Sequence, residues 1–171
     1  FTAISESLSP PELVEHLGEY FEAISGAIRA EGGTVDKYLG DAVLAFRGAP
    51  REHPQPALAA CRAALAAQAR LAVLREQWAA VGRPPLHVRI GMHTGEMVVG
   101  NLGSPARLDY TVTGEEAHLA ERLEGLNKRH GTQILISLLL FWRHRSNIRN
   151  LVSGEEEPIS DQPAAGEHPP E

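Results

Sequence analysis

The chain carries one cysteine, Cys61, so an internal disulfide and a cysteine-based zinc cage are both excluded. Cys61 sits in an alanine-rich helical pattern and reads as buried filler, and a reducing, cytoplasmic setting is expected. Long apolar runs are scarce. The longest, ILISLLLFW at 134–142, is interrupted by Ser137 and too short to cross a bilayer, and the opening FTAISE is not a secretory signal. No direct membrane contact is expected from this segment. A broad basic surface is also lacking. The net charge is −6, but residues 153–171 hold six acids and no Lys or Arg, which leaves sixteen acids against sixteen bases elsewhere. That balance argues against nucleic acid as a partner. Among the sixteen basic residues only Lys37 and Lys128 are lysine, so a lysine inside a short strand pattern invites a chemical explanation. The Walker loop, GxGxxG and HExxH patterns are all absent.

What is present fits one domain. The chain has 171 residues and 43% apolar content, enough for a sizeable core. Ser9-Pro10-Pro11-Glu12 marks a helix start with a capping box, and Leu13, Leu17, Tyr20, Phe21, Ile24 and Ile28 recur at helical spacing up to Gly32-Gly33. Val35–Leu39 and Ala42–Phe46 read as two strands around a Gly40-Asp41 turn. A long helix is expected over 55–81, with Leu58, Cys61, Leu65, Ala72 and Trp78 on one side. A strand over 86–92, an extended stretch 96–99, a loop 100–104 and a strand 108–113 follow. A helix from Gly114 to about Lys128 and a strand 132–137 complete the pattern. This order predicts an α+β fold with helices packed on a mainly antiparallel sheet. Three regions are expected: a main domain over 1–137, a divergent and possible helical segment over 138–152, and a disordered acidic Pro/Glu tail over 153–171.

Taken singly, the polar residues have ordinary readings. Asp41 at a hairpin tip suits a hard cation, but turn aspartates are common. Lys37 alternates with Val35 and Leu39, and is either a snorkelling edge residue or a group aimed into a cleft. His118 and Arg122 lie at i and i+4 on one helix face, and Arg122 could hold a phosphate or pair with Glu115 or Glu121.

Taken together and in order, three blocks are specific. GGTVDKYLGDAVLAFRGAP, VRIGMHTGEMVVGNLGS and LDYTVTGEEAHLAERLEGLNKRHGTQILIS resemble successive parts of the class III nucleotidyl cyclase catalytic domain, most of all its bacterial adenylate cyclases. The resemblance covers about residues 1–137. It implies a ferredoxin-like palm core working as a head-to-tail homodimer with nucleotide sites at the interface. ATP would become cyclic AMP, an intracellular signal, and pyrophosphate, with two Mg²⁺ or Mn²⁺ ions sharing the charge of the reacting oxygens. By this resemblance Asp41 matches a metal aspartate, Lys37 the adenine-reading lysine and Thr111 the second base contact. Arg122 matches the transition-state arginine, and Phe1 and Thr2 the end of a phosphate loop. Guanylate cyclases typically carry a glutamate at the lysine position, so Lys37 with Thr111 favours ATP.

Three departures from the family pattern stand out. The family's first metal aspartate and most of its first strand lie before the position of Phe1, so the sheet is expected to lack a strand, and this segment alone is expected to be nearly inactive. His118 stands where the family usually has asparagine, and it differs in size and protonation. After Ser137 the usual closing helix and hairpin are not recognisable. A second reading is therefore a degenerate cyclase-homology module that dimerises or binds nucleotide without turnover. A diguanylate-cyclase-type enzyme would share the palm, but Gly32-Gly33 is followed by Thr34-Val35-Asp36 and not by the expected acidic-Glu-Phe signature.

Overall fold

The computed structural model describes residues 2–137, with side chains from residue 4. Phe1, the segment 138–152 and the tail 153–171 lie outside the described residues. The elements are α1 (Thr2–Ser7), α2 (Pro10–Ala30), β1 (Thr34–Leu39), β2 (Ala42–Phe46), α3 (Pro56–Ala80), β3 (Ile90–Met92), β4 (Val98–Ser104), β5 (Arg107–Thr113), α4 (Glu115–His130) and β6 (Ile134–Ile136). The fold is α+β. Its strands pair two by two: β1 with β2 and β4 with β5 antiparallel, β3 with β6 parallel.

Helix α2 begins as its sequence requires. Ser9 donates its backbone N–H to the Glu12 carboxylate, and Pro10 occupies the first helical position. Its inner face, with Tyr20, Ile24 and Ala27, packs on Ala67, Leu71 and Trp78 of α3 and on Leu86. A second cluster joins Ala57, Cys61 and Ala64 of α3 to Met92. Leu71 and Trp78 are fully buried, and truncating either to alanine should cost about 3–5 kcal/mol.

Several expectations need correcting. On α3, Leu65 and Ala72 are exposed while Leu71 is buried. The inner face runs through Ala57, Cys61, Ala64, Ala67, Leu71 and Trp78, and Leu65 and Ala72 lie roughly 90–110° from the centre of that face. Helix α3 is also long and apolar enough to cross a membrane by length and composition, which the reading of contiguous runs missed because alanine dilutes its few charges. Its buried face against α2 makes it a core helix. The expected strand 86–92 shortens to Ile90–Met92, because side chains of α3 take its earlier carbonyls. Gln68 Nε2 donates to Val88 O at 2.9 Å, and Arg75 reaches Leu86 O at 3.5 Å.

The expected loop 100–104 is instead the end of β4, in register with β5 from Val98↔Thr113 to Ser104↔Arg107. Its glycines suggested a loop, yet one of them is what permits the hairpin. Gly103 has φ +146, and a Cβ there would collide with the Arg107 carbonyl oxygen. A similar close approach seats α4 on the parallel pair: a Cβ on Gly91 would overlap Ala120 O and the Glu124 N–H. Asn127 completes that junction. Fully buried, it donates from Nδ2 to Ile90 O at 3.1 Å and accepts the Thr132 hydroxyl at 2.8 Å.

Candidate functional site

The hairpin β1–β2 closes on the two residues Gly40 and Asp41, with Leu39 opposite Ala42. Asp41 is half-buried, and its main-chain carbonyl accepts the Tyr20 hydroxyl at 3.0 Å, which ties the tip to α2. Burial, with Asp41 and Glu124 adding negative potential, pushes the Tyr20 phenol far above its ordinary range, so it remains a donor. The Asp41 carboxylate has no hydrogen bond or ion pair among the described residues.

Strand β1 contains a bulge. Val35 pairs with Ala45 and Lys37 with Leu44, so Asp36 is an extra residue with no partner on β2. In a regular strand adjacent side chains point to opposite faces. The bulge cancels that alternation, so Lys37 does not simply share the Val35 face, and Asp36 and Lys37 reach the same group. Lys37 Nζ donates to Thr111 Oγ1 at 2.9 Å, and Thr111 Oγ1 donates to Asp36 Oδ2 at 2.6 Å. Lys37 Nζ lies 3.6 Å from Asp36 Oδ1. The Asp36 side chain is 2% exposed and that of Lys37 40%. An acid this deeply buried needs partners, and here it has a hydroxyl, an ammonium and the more distant Val112 N–H.

Thr111 lies near the end of β5, four residues before α4, which carries His118 and Arg122. Both side chains are on the exposed face. His118 is 78% exposed with Nδ1 3.7 Å from Glu121, and Arg122 is exposed without a hydrogen bond or ion pair among the described residues. The start of α4 is fixed from below. His93, 1% exposed, meets Ser137 Oγ through Nδ1 at 2.6 Å and faces the Glu116 carboxylate through Nε2.

The structure thus joins Lys37 to Thr111 and places His118 and Arg122 on one helix face. It does not link Asp41 to that group by any described contact. Phe1 is outside the described residues, and Thr2 is placed only as the first residue of α1. Sequence reasoning missed Asp36. The signal available was an acid directly beside one of only two lysines, but the bulge that turns it inward leaves no trace in the residue pattern. The partners of His93 were also invisible, since Glu116 and Ser137 are far from it in sequence.

The divalent-ion expectation can be tested on the donors present. Asp41 offers a hard carboxylate oxygen of the right kind. Among the described residues no group of three His, Cys, Asp or Glu side chains could hold a metal ion. One carboxylate does not make a two-ion site, so the described residues fit in kind but not in number. Neither described cleft, one at Glu31, His53 and Arg62 and one at Gln68, Asn127 and Gln133, includes Lys37, Asp41, Thr111 or Arg122.

The family profile of the adenylate and guanylate cyclase catalytic domain matches residues 1–139. The chain is 44% identical over 137 residues to adenylate cyclase 1 of Rhizobium meliloti, covering 80% of this chain and 21% of that protein. It is 34% identical over 155 residues to an adenylate cyclase of Anabaena cylindrica, covering 88% and 28%. The chain therefore spans only about a fifth to a little over a quarter of these relatives. Among solved structures, the adenylyl cyclase CyaB from P. aeruginosa superposes with a TM-score of 0.77 at 36% identity, covering 85% of this chain and 74% of that one. The guanylyl cyclase Cya2 superposes with a TM-score of 0.74 at 37% identity, covering 82% and 71%. The chain belongs to the adenylate and guanylate cyclase catalytic domain family.

Proposed function

We propose that this domain converts ATP to cyclic AMP and pyrophosphate at the interface of a homodimer. The observation that carries the choice of ATP is the Lys37–Thr111 pair. Relatives of similar likeness are named for either nucleotide, so overall similarity does not choose between them. A lysine ammonium held on a threonine hydroxyl offers a donor and a lone pair to one edge of a purine.

In this reading Lys37 and Thr111 hold the adenine. Arg122, with its fixed planar charge, faces the phosphates, and His118 donates one hydrogen bond to the ribose. Arg122 stabilises charge as the ribose 3′-oxygen attacks the α-phosphorus and pyrophosphate leaves. Asp41 would supply one carboxylate ligand to Mg²⁺ or Mn²⁺, ions that would polarise the phosphate oxygens when bound. Thr2 is assigned to the backbone that would face the triphosphate, and Phe1, assigned with it by the family resemblance, lies outside the described residues.

Two observations support a dimer. The Lys37 end of the base-contact pair is 40% exposed on the single chain, while Thr111 is buried beneath it, and neither described cleft includes them. The hairpins also expose apolar side chains that a second copy would cover: Leu39, Val98, Leu108 and Tyr110.

The test is turnover by the full-length protein, with ATP or GTP and Mg²⁺ or Mn²⁺, products resolved by chromatography. Cyclic AMP in excess of cyclic GMP is expected. ATP binding without product would favour the second reading, a nucleotide-binding homology module, for which the exposed His118 at the family's asparagine position speaks. Neither binding nor product would sink both.

A further inference from the structure

We propose that Asp36 sets the base preference of this site by fixing the direction of the Thr111 hydroxyl proton. This rests on the reading of Lys37 and Thr111 as base contacts.

A threonine hydroxyl has one proton and two lone pairs, so it can face a ligand as donor or as acceptor. An ammonium has only donors, so the Lys37–Thr111 contact at 2.9 Å has one possible direction: lysine donates and one lone pair is used. The hydroxyl proton then has two acceptors within reach. Asp36 Oδ2 lies at 2.6 Å and the Val112 carbonyl at 3.4 Å. The nearer acceptor is also an acid whose side chain is 2% exposed, which makes it the stronger one. The proton is therefore committed inward. What remains for a ligand on the buried Thr111 hydroxyl is a lone pair, beside the unused N–H groups of the part-exposed Lys37.

Consider a purine whose six-position faces Thr111 and whose N1 faces Lys37. Adenine presents an amino donor and a ring-nitrogen acceptor, and both contacts are satisfied. Guanine in the same pose presents a carbonyl acceptor and an N1–H donor, so like meets like at both positions. Lys37 alone rejects only half of that pattern. The other half depends on Thr111 being unable to turn its proton outward, and Asp36 is what prevents the turn. The β1 bulge is essential, because without the extra residue Asp36 and Lys37 would point to opposite faces. Asp36 thus acts as a positioning residue that need not touch the nucleotide.

The test is the ratio of kcat/KM for ATP over that for GTP in the full-length protein, with matched measurements of nucleotide affinity. In Asp36→Asn an amide oxygen can face Lys37 or Thr111 but not both. When it faces Lys37, the amide N–H groups point at Thr111 and the hydroxyl proton turns outward. The ATP:GTP ratio should fall about tenfold, both in turnover and in affinity. Thr111→Val, which keeps the shape and deletes the lone pair, should lower the ratio similarly and stands in if Asp36→Asn does not fold. A merely structural role for Asp36 would lower both nucleotides alike. A wild-type ratio retained by either folded variant overturns the proposal. A wild-type protein that neither binds nor converts ATP or GTP overturns it together with the assignment of the base contacts, and shows itself before any substitution is made.

Discussion

Lys37 Nζ and Thr111 Oγ1 lie 2.9 Å apart although 74 residues separate them in the chain. The contact bridges the β1–β2 and β4–β5 hairpins, which share no backbone pairing among the described residues. Replacing Lys37 by alanine removes the charged donor from this pair and leaves Asp36 with less compensation. ATP kcat/KM should fall at least about tenfold. Steady-state kinetics check it, and an unchanged value would remove Lys37 from the nucleotide site.

Arg122 is exposed and unpaired among the described residues, so its replacement should barely affect folding. If it meets charge that develops only in the transition state, Arg122→Ala should lower kcat by about 10²–10³ with little change in KM. A thermal melt within experimental error of the wild type, together with lost turnover, is the expected pair of results. A large rise in KM at constant kcat would instead make Arg122 a ground-state contact.

Gly91 lies at a close approach of β3 to α4. In Gly91→Ala the new methyl overlaps backbone atoms of Ala120 and Glu124, which cannot rotate away as a side chain could. Destabilisation of about 3 kcal/mol is expected in urea unfolding. Activity should fall even in the folded fraction, because the displaced helix carries His118 and Arg122. A variant as stable as the wild type would mean that the junction is looser than this packing implies.

His16 is fully buried against Trp78, with ring centroids 4.1 Å apart and neither ring nitrogen in a well-formed hydrogen bond among the described residues. Burial first, then the nearby Arg83 charge, push its pKa below the ordinary 6.5, while Glu19 and the Pro84 backbone oppose them. The sign follows from proton uptake. Below about pH 6.5 the unfolded chain takes a proton at this site while the folded one resists, so stability falls as pH drops from 6.5 toward the lowered folded value. His16→Phe keeps an aromatic ring on Trp78 and deletes the titration. Unfolding in urea at pH 7.5 and 5.5 should show a smaller acid loss in the variant, and an equal loss would acquit His16.

Much of this molecule was legible before any coordinates. The capping box at Ser9 and Glu12, the Gly40-Asp41 turn and the apolar period of α2 depend on neighbours within a few residues, and they appear as expected. The ordered motif blocks were equally readable, since a family match needs only residue identity.

Tertiary structure decided what depends on distant partners. Val88 looked like a strand residue until the Gln68 side chain took its carbonyl, and the glycine-rich stretch 100–104 looked like a loop until β5 paired with it. Asp36 is the sharpest case. Its sequence setting is an ordinary alternating strand, and only one unpaired residue in the β1–β2 ladder turns it inward to meet Thr111. Local propensities act through steric and hydrogen-bonding preferences of adjacent residues, so the sequence alone carries them. A buried acid between two hairpins is held by atoms that adjoin only once the chain has folded.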